Sequence, residues 1–227
     1  MKSIKVIGFD ADDTLWSNAS YFKEAEACFL EELSVFHSRE KLEAELYRTE
    51  TDNMKWYGYG VMAFTLSMVE TALRVSEGKV SASAIDRIVR AGRAILEKPI
   101  ELFPGVPDIF PALKDRYQLV VVTQGDLLDQ QRKLKNSGLM PFFHHVEVVA
   151  RKSESSYRRL VDALSIRPSE FLMVGNSLKS DISPVLSMGG RAIHVPCAAE
   201  WQFDAVENRP ASLVQIDSLL DLPGLLA

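Results

Sequence analysis

The sequence predicts an α/β protein: a doubly wound, Rossmann-like parallel sheet interrupted by an inserted all-helical subdomain. Short apolar runs rich in β-branched residues occur at Ile4 to Phe9, Leu119 to Thr123, Val146 to Val149, Phe171 to Gly175 and Ala192 to Val195. Nearly unbroken runs of this length suit strands buried on both faces. Helical stretches alternate with the later runs, which is the rhythm of a parallel sheet. From Ser17 to Lys98 no convincing strand is present, so a block of helix separates the first strand from the rest.

In chain order, the first strand is followed by a helix over Ala19 to Phe36, with Tyr21, Phe22, Ala25, Cys28, Phe29 and Leu33 near helical spacing. Leu42, Leu46 and Tyr47 indicate a second helix, and Val61 to Val75 a third. Ser83 to Leu96 is a fourth, with Ser83 as N-cap and Ile85, Ile88, Val89 and Ile95 on its apolar face. The sheet pattern resumes near Leu102-Phe103-Pro104-Gly105. Helices are then expected over Val106 to Asp115, Asp126 to Ser137, Ser155 to Ser165 and Asp181 to Met188, with a strand after each. The expected boundaries are residues 1–16 with 101–227 for the sheet domain and 17–100 for the helical insert, placed over the carboxyl end of the first strand. Right-handed crossovers bring the strand carboxyl ends to one edge, where ligands sit in such sheets.

Composition narrows the function classes. The 227 residues are 47% hydrophobic and 25% charged, with a formal net charge of −5, which suits a globular chain with a core rather than a disordered one. The excess acid lies between Ser17 and Asp52, where four basic residues face nine acidic ones; the remainder is balanced. Neither the basic footprint of a nucleic-acid binder nor a polybasic membrane patch is present. No apolar stretch reaches the length of a membrane span, and the run Val6 to Phe9 is too short for a signal-peptide core. Two cysteines, Cys28 and Cys197, make no disulfide framework. Free, largely buried thiols in a reducing cytoplasm are expected, a single bridge being the alternative.

The residues that carry chemistry begin with Phe9-Asp10-Ala11-Asp12-Asp13-Thr14-Leu15. Three acids directly after a buried strand repel one another and lose hydration, which a cation offsets. Asp10 and Asp12 are two apart and would share a face if the strand continued. Hard divalent ions accept such carboxylates together with carbonyls and waters. The alternative is that the same acids form a turn and a helix N-cap. Three later segments bear on the choice. Leu119-Val120-Val121-Val122-Thr123-Gln124-Gly125 ends a strand in a hydroxyl and two backbone N–H groups suited to phosphate oxygens. Arg151-Lys152-Ser153 precedes a helix, where the lysine would offset a phosphate and the acid cluster. Phe171-Leu172-Met173-Val174-Gly175-Asn176, continuing to Asp181, gives a strand, a glycine, polar ligand types and an acid that opens a helix, where it would also serve as an N-cap.

Their order and context resemble the four motifs of the haloacid dehalogenase (HAD) superfamily, over roughly residues 1–16 and 101–200. The insert resembles that superfamily's C1 cap. The resemblance implies a Mg²⁺-dependent phosphomonoester phosphatase working through an aspartyl-phosphate. In it Asp10 matches the nucleophile, Asp12 the general acid/base, Thr123 the phosphate-binding hydroxyl and Lys152 the charge-offsetting lysine. Substrate phosphate would lie against Thr123, Gln124, Gly125 and Lys152. The metal would be held by the Asp10 carboxylate, the Asp12 main-chain carbonyl and Asp181, with Asn176 beside them. Asn176 stands where many members have an aspartate, and its amide oxygen would accept from a metal-bound water or from Lys152. Ser153 replaces a proline common after the lysine, with an effect expected on loop stiffness alone.

The insert would set the substrate. Asn53-Met54-Lys55-Trp56-Tyr57-Gly58-Tyr59-Gly60 is its candidate recognition segment, where Trp56 or Tyr59 would stack on a ring and Lys55 would meet an anion; the alternative packs these aromatics into the subdomain's own core. Trp16 is expected at the hinge, and His144 and His145 at the surface or a sheet edge. The expected partner is a small phosphorylated metabolite, with no nucleic acid and no membrane, for a cytoplasmic monomer or homodimer. A dehalogenase using Asp10 on carbon, and a non-catalytic binding module, are the alternatives.

Overall fold

A computed structural model describes residues 3–197 and 213–226. Along the chain, β1 (Val6–Phe9) is followed by α1 (Ala19–Leu33), α2 (Arg39–Tyr57), α3 (Val61–Val75) and α4 (Ala82–Glu97). Then come α5 (Val106–Leu113), β2 (Gln118–Gln124), α6 (Leu127–Asn136), β3 (His145–Val149), α7 (Glu154–Ala163) and β4 (Phe171–Gly175). After these run α8 (Ser183–Ser187), β5 (Arg191–His194), β6 (Val214–Gln215) and α9 (Leu222–Leu225). The chain divides into two compact units, Met1–Ala19 with Ile100–Ala227, and Ser20–Pro99. No described helix is long and apolar enough to cross a membrane. Cys28 and Cys197 are half-buried, not largely buried as expected.

The first unit is a parallel sheet in the order β3-β2-β1-β4-β5-β6. The central strand β1 has no exposed residue and divides its side chains between two cores. Ile7 and Phe9 join Val106, Phe110 and Leu134 from α5 and α6. Val6 joins Tyr157, Leu160 and Val185 from α7 and α8. Phe9 meets Phe110 edge-on at 5.2 Å and Phe143 at 6.3 Å, and Phe110 meets Phe143 at 5.1 Å; such aromatic pairs add about 0.5–1.5 kcal/mol beyond their burial. Gly8 leaves room for Phe171, whose ring would stand 2.7 Å from an added Cβ.

Phe9 lies opposite Val121 of β2 and Val174 of β4, so these three strands end at one edge. The Asp10 N–H donates to Val174 O at 2.9 Å, which ties the next residue to the same frame. The strand order reverses at β1, and open α/β sheets bind ligands in the crevice at such a reversal. β6 was not anticipated; two residues carry too little periodicity to be seen. His144 precedes and His145 begins the edge strand β3, and both are exposed, as expected.

The helical unit has its own core of Phe29, Leu33, Leu42, Leu46, Phe64, Met68 and Ile88. Two sequence expectations change here. Ser81, not Ser83, caps α4: its hydroxyl accepts from the Ala84 N–H at 3.1 Å, while Ser83 accepts from Arg87. The recognition segment is also largely helix, because α2 continues to Tyr57 and ends only at Gly58, whose φ is 70°. Asn53 is buried there and donates to Ser67 Oγ at 3.1 Å and Glu70 Oε2 at 2.9 Å. Trp56 is 72% exposed and Tyr57 49%, so neither packs the unit's core.

Two outcomes follow for this unit. Gly92 on α4 faces Thr65 on α3, with Thr65 Oγ1 2.0 Å from where a Cβ would stand. Helix propensity alone would favour alanine by about 1 kcal/mol, but overpacking costs about 1–3 kcal/mol. Gly92→Ala should therefore lower Tm; a raised Tm would show that the helices separate freely. Glu50 on α2 is pushed up to about 8 by burial and then by Glu26. The unfolded chain ionises near pH 4.5, so this group's contribution to stability is full below that pH and is lost as pH rises toward 8. Glu50→Gln should flatten the decline in urea midpoint between pH 5 and 8.5; an unchanged slope would remove Glu50 as its source.

Candidate active site

The turn after β1 separates three neighbouring acids into three environments. Asp13 has φ 60°, and its carboxylate accepts from the Asn18 and Ala19 N–H groups at 2.9 and 3.0 Å. It thus ends the turn and caps α1, while burial pushes its pKa up to about 6. Among the three, the capping role belongs to Asp13.

Asp10 is buried at the carboxyl end of β1. Its Oδ1 accepts from Lys152 Nζ, and the same ammonium donates to Asp181 Oδ1 at 2.6 Å. Two buried carboxylates therefore share one buried lysine. Burial and then Asp181 push Asp10 up to about 7, against the pull of Lys152. Burial works against the Lys152 charge, yet Asp10 and Asp181 hold its pKa above the ordinary lysine value. The phenol of Tyr157 is raised by burial and donates to Ser180 O at 3.1 Å.

Each partner in this cluster is held by local chain geometry. Lys152 precedes α7, which Ser153 caps by accepting from the Ser156 N–H at 3.2 Å, while the Ser153 N–H donates to Ser156 Oγ at 2.8 Å. Ser153 thus does more than change loop stiffness, since a proline could not donate that bond. Asp181 follows β4 in a π-helical turn, Leu178–Ile182, a deviation often found at functional sites. It is not the N-cap: Ser177 fills that place by accepting from the Ser180 N–H, while Asp181 Oδ2 accepts from the Ser177 N–H at 3.0 Å. Gly175 permits this, since an added Cβ would lie 2.3 Å from Asp181 Oδ2.

Asp12 is held by different donors. Its Oδ1 accepts from Trp16 Nε1 at 2.7 Å, its Oδ2 from Gln130 Nε2 at 2.8 Å, and both oxygens from Lys133 Nζ at 2.9 Å. Burial opposes the charge, but Lys133, Gln130 and Trp16 outweigh it and hold the carboxyl below its ordinary range. Trp16 is buried and bridges to Leu102, as well as donating to Asp12. Sequence reasoning missed Gln130 and Lys133; their helical spacing of three would have marked them had α6 been suspected of facing Asp12.

The remaining expected residues are at the same edge. Thr123 is buried two residues beyond the Val121–Phe9 pairing. Gln124 Oε1 accepts from the Lys152 N–H at 3.2 Å, and its carbonyl from Gln130 Nε2 at 2.9 Å. Gly125 has φ 138°, a region favouring glycine. Asn176 does not meet Lys152. Its N–H donates to Thr14 Oγ1 at 3.1 Å, and its Oδ1 lies 3.1 Å from that hydroxyl, which is also 2.9 Å from Asp10 Oδ2. Thr14, unassigned from the sequence, thus joins β1 to the loop after β4.

Among the described residues no group of three or more His, Cys, Asp or Glu forms a metal cage. The donor chemistry nonetheless fits Mg²⁺, which takes one or two carboxylates and keeps several waters. Asp10 and Asp181 carry two negative charges against the single charge of Lys152, leaving a buried carboxylate in excess that a hard cation would offset.

The sequence matches the family model for haloacid dehalogenase-like hydrolases over residues 4–189. A haloacid dehalogenase-like family hydrolase from Xanthomonas campestris has a solved structure that aligns with TM-score 0.88 at 37% identity, covering 99% of this chain and 91% of that one. The glyceraldehyde 3-phosphate phosphatase of Pyrococcus furiosus is 26% identical, covering 100% of this chain and 93% of its own. The N-acylneuraminate-9-phosphatase of Rattus norvegicus is 21% identical, with 100% and 95% covered. A parallel sheet of this order, a match across most of the chain, and a solved relative above one-third identity agree: the chain belongs to the haloacid dehalogenase-like hydrolase family.

Proposed function

We propose that the protein is a Mg²⁺-dependent phosphatase that hydrolyses a small phosphomonoester through an aspartyl-phosphate on Asp10. The observation that carries this reading is the Asp10–Lys152–Asp181 cluster at the carboxyl edge of β1 and β4. Phosphatase activity in relatives that align over nearly their whole length supports it. Asp10, the Asp12 main-chain carbonyl and Asp181 would hold Mg²⁺, with Asn176 beside them. The bound ion would offset the repulsion between carboxylate and phosphate.

The chain's own residues carry the steps. An Asp10 oxygen attacks phosphorus in line as the ester P–O bond breaks. Thr123 and the N–H groups of Gln124 and Gly125 hold the phosphoryl oxygens, and Lys152 offsets their developing charge. Asp12, in its acid form, gives its proton to the departing alkoxide. As a carboxylate it then takes a proton from the water that attacks the phosphoryl-aspartate. This frees phosphate and returns Asp12 to its acid form.

Asp10→Asn should abolish phosphate release from p-nitrophenyl phosphate, by about 10⁶-fold if it is the nucleophile, with circular dichroism unchanged; substantial residual turnover would remove Asp10 from that role. The wild-type chain should release no chloride from 2-chloropropionate, and chloride release without Mg²⁺ would favour the dehalogenase reading. Gly175→Ala should displace Asp181 and cost about 100-fold in kcat, the scale of a 1 Å misplacement. Unchanged activity over a Mg²⁺ titration would show that Asp181 has no such constraint.

A further inference from the structure

Asp12 is the most fully engaged carboxylate near the site, and most of its donors come from one helix. Lys133 is buried, yet its ammonium is satisfied by both Asp12 oxygens at 2.9 Å, Asn18 Oδ1 at 2.9 Å and Asp129 Oδ2 at 3.4 Å. Gln130, one turn earlier on α6, donates to Asp12 and to the Gln124 carbonyl. Its own Oε1 is buried with no partner among the described residues. A half-satisfied buried amide stabilises less than an apolar side chain of the same size. A buried lysine with two carboxylates is likewise weak support for a fold. Core stability therefore explains neither residue well. Both direct their N–H groups at Asp12, and Gln130 also holds the strand end that carries Thr123.

We propose that Lys133 is a positioning residue that, together with Gln130, holds the Asp12 carboxylate for the second half-reaction, in which water displaces phosphate from Asp10. The inference rests on the phosphatase reading. In that half-reaction Asp12 is the carboxylate: it accepts one proton of the attacking water, the water oxygen bonds to phosphorus, and the phosphorus–Asp10 bond breaks. Lys133 neither gives nor takes a proton. It fixes two oxygens whose direction sets the angle of water attack. The first half-reaction with an aryl ester needs no proton for its leaving group, so it is insensitive to this arrangement.

This difference supplies the test. Lys133→Met, Lys133→Arg and Gln130→Met are compared with the wild-type full chain by stopped flow, using p-nitrophenyl phosphate with Mg²⁺ in the buffer. For Lys133→Met the inference expects kcat to fall about 100-fold while kcat/KM stays within about 3-fold, since kcat/KM reports only the steps through leaving-group departure. A burst approaching one nitrophenolate per site should precede slow turnover. Arginine, which keeps charge and donors, should recover part of kcat, and Gln130→Met should show the same split in weaker form. In an Asp12→Asn background, Lys133→Met should cost nothing further; Lys133→Arg, which keeps the charge facing Asp12 and Asp129, reads the same split if Lys133→Met is unstable. Equal losses in kcat and kcat/KM without a burst, or an added loss on Asp12→Asn, would overturn the role of Lys133 and leave the phosphatase reading intact. A wild-type chain that releases no nitrophenolate would overturn both.

Discussion

One ammonium group between two buried carboxylates organises the sheet edge. Lys152 reaches both Asp10 and Asp181, and all three side chains are buried. Removing one partner from such an arrangement typically costs about 3–5 kcal/mol, because a buried charge is left alone. Each partner arrives from a different strand end, so the sheet order, the cap of α7 and the π-helical turn after β4 must all agree for the cluster to form. Burial, and then the second carboxylate of Asp181, push the Asp10 pKa up against the pull of Lys152.

The two acids of the first motif are kept distinct by their surroundings. Asp10 shares its lysine with a second carboxylate and is pushed up. Asp12 has Lys133, Gln130 and Trp16 and is held low. Here the separation depends on α6 as much as on the loop that carries the acids. Asp13 is removed from the competition by turning to cap α1.

Much of this was legible in the sequence. The four strands that carry the site are short, largely apolar runs, and Asp10, Thr123, Lys152 and Asp181 sit where those runs stop or the next helix starts. Their convergence follows from topology: strands buried on both faces must be crossed over by helices, and right-handed crossovers gather their ends on one side. What stayed hidden depends on side-chain direction. Lys133 and Gln130 look like surface residues of a polar helix until α6 is placed beside Asp12. Asn53 looks like part of a glycine-flanked loop, yet it lies in a helix that stops only where Gly58 takes a positive φ. Ser153 reads as a missing proline, and only the paired bonds with Ser156 show a cap.

The central claim is that Asp10 is the atom-bearing nucleophile of this edge. The most direct measurement is acid quenching during turnover of a ³²P-labelled phosphomonoester, followed by reduction of the acyl phosphate and peptide mapping. The account predicts label on the chain and conversion of Asp10 to homoserine, both absent in Asp10→Asn. Label on another residue, or turnover with no covalent label under conditions that trap acyl phosphates, would contradict it.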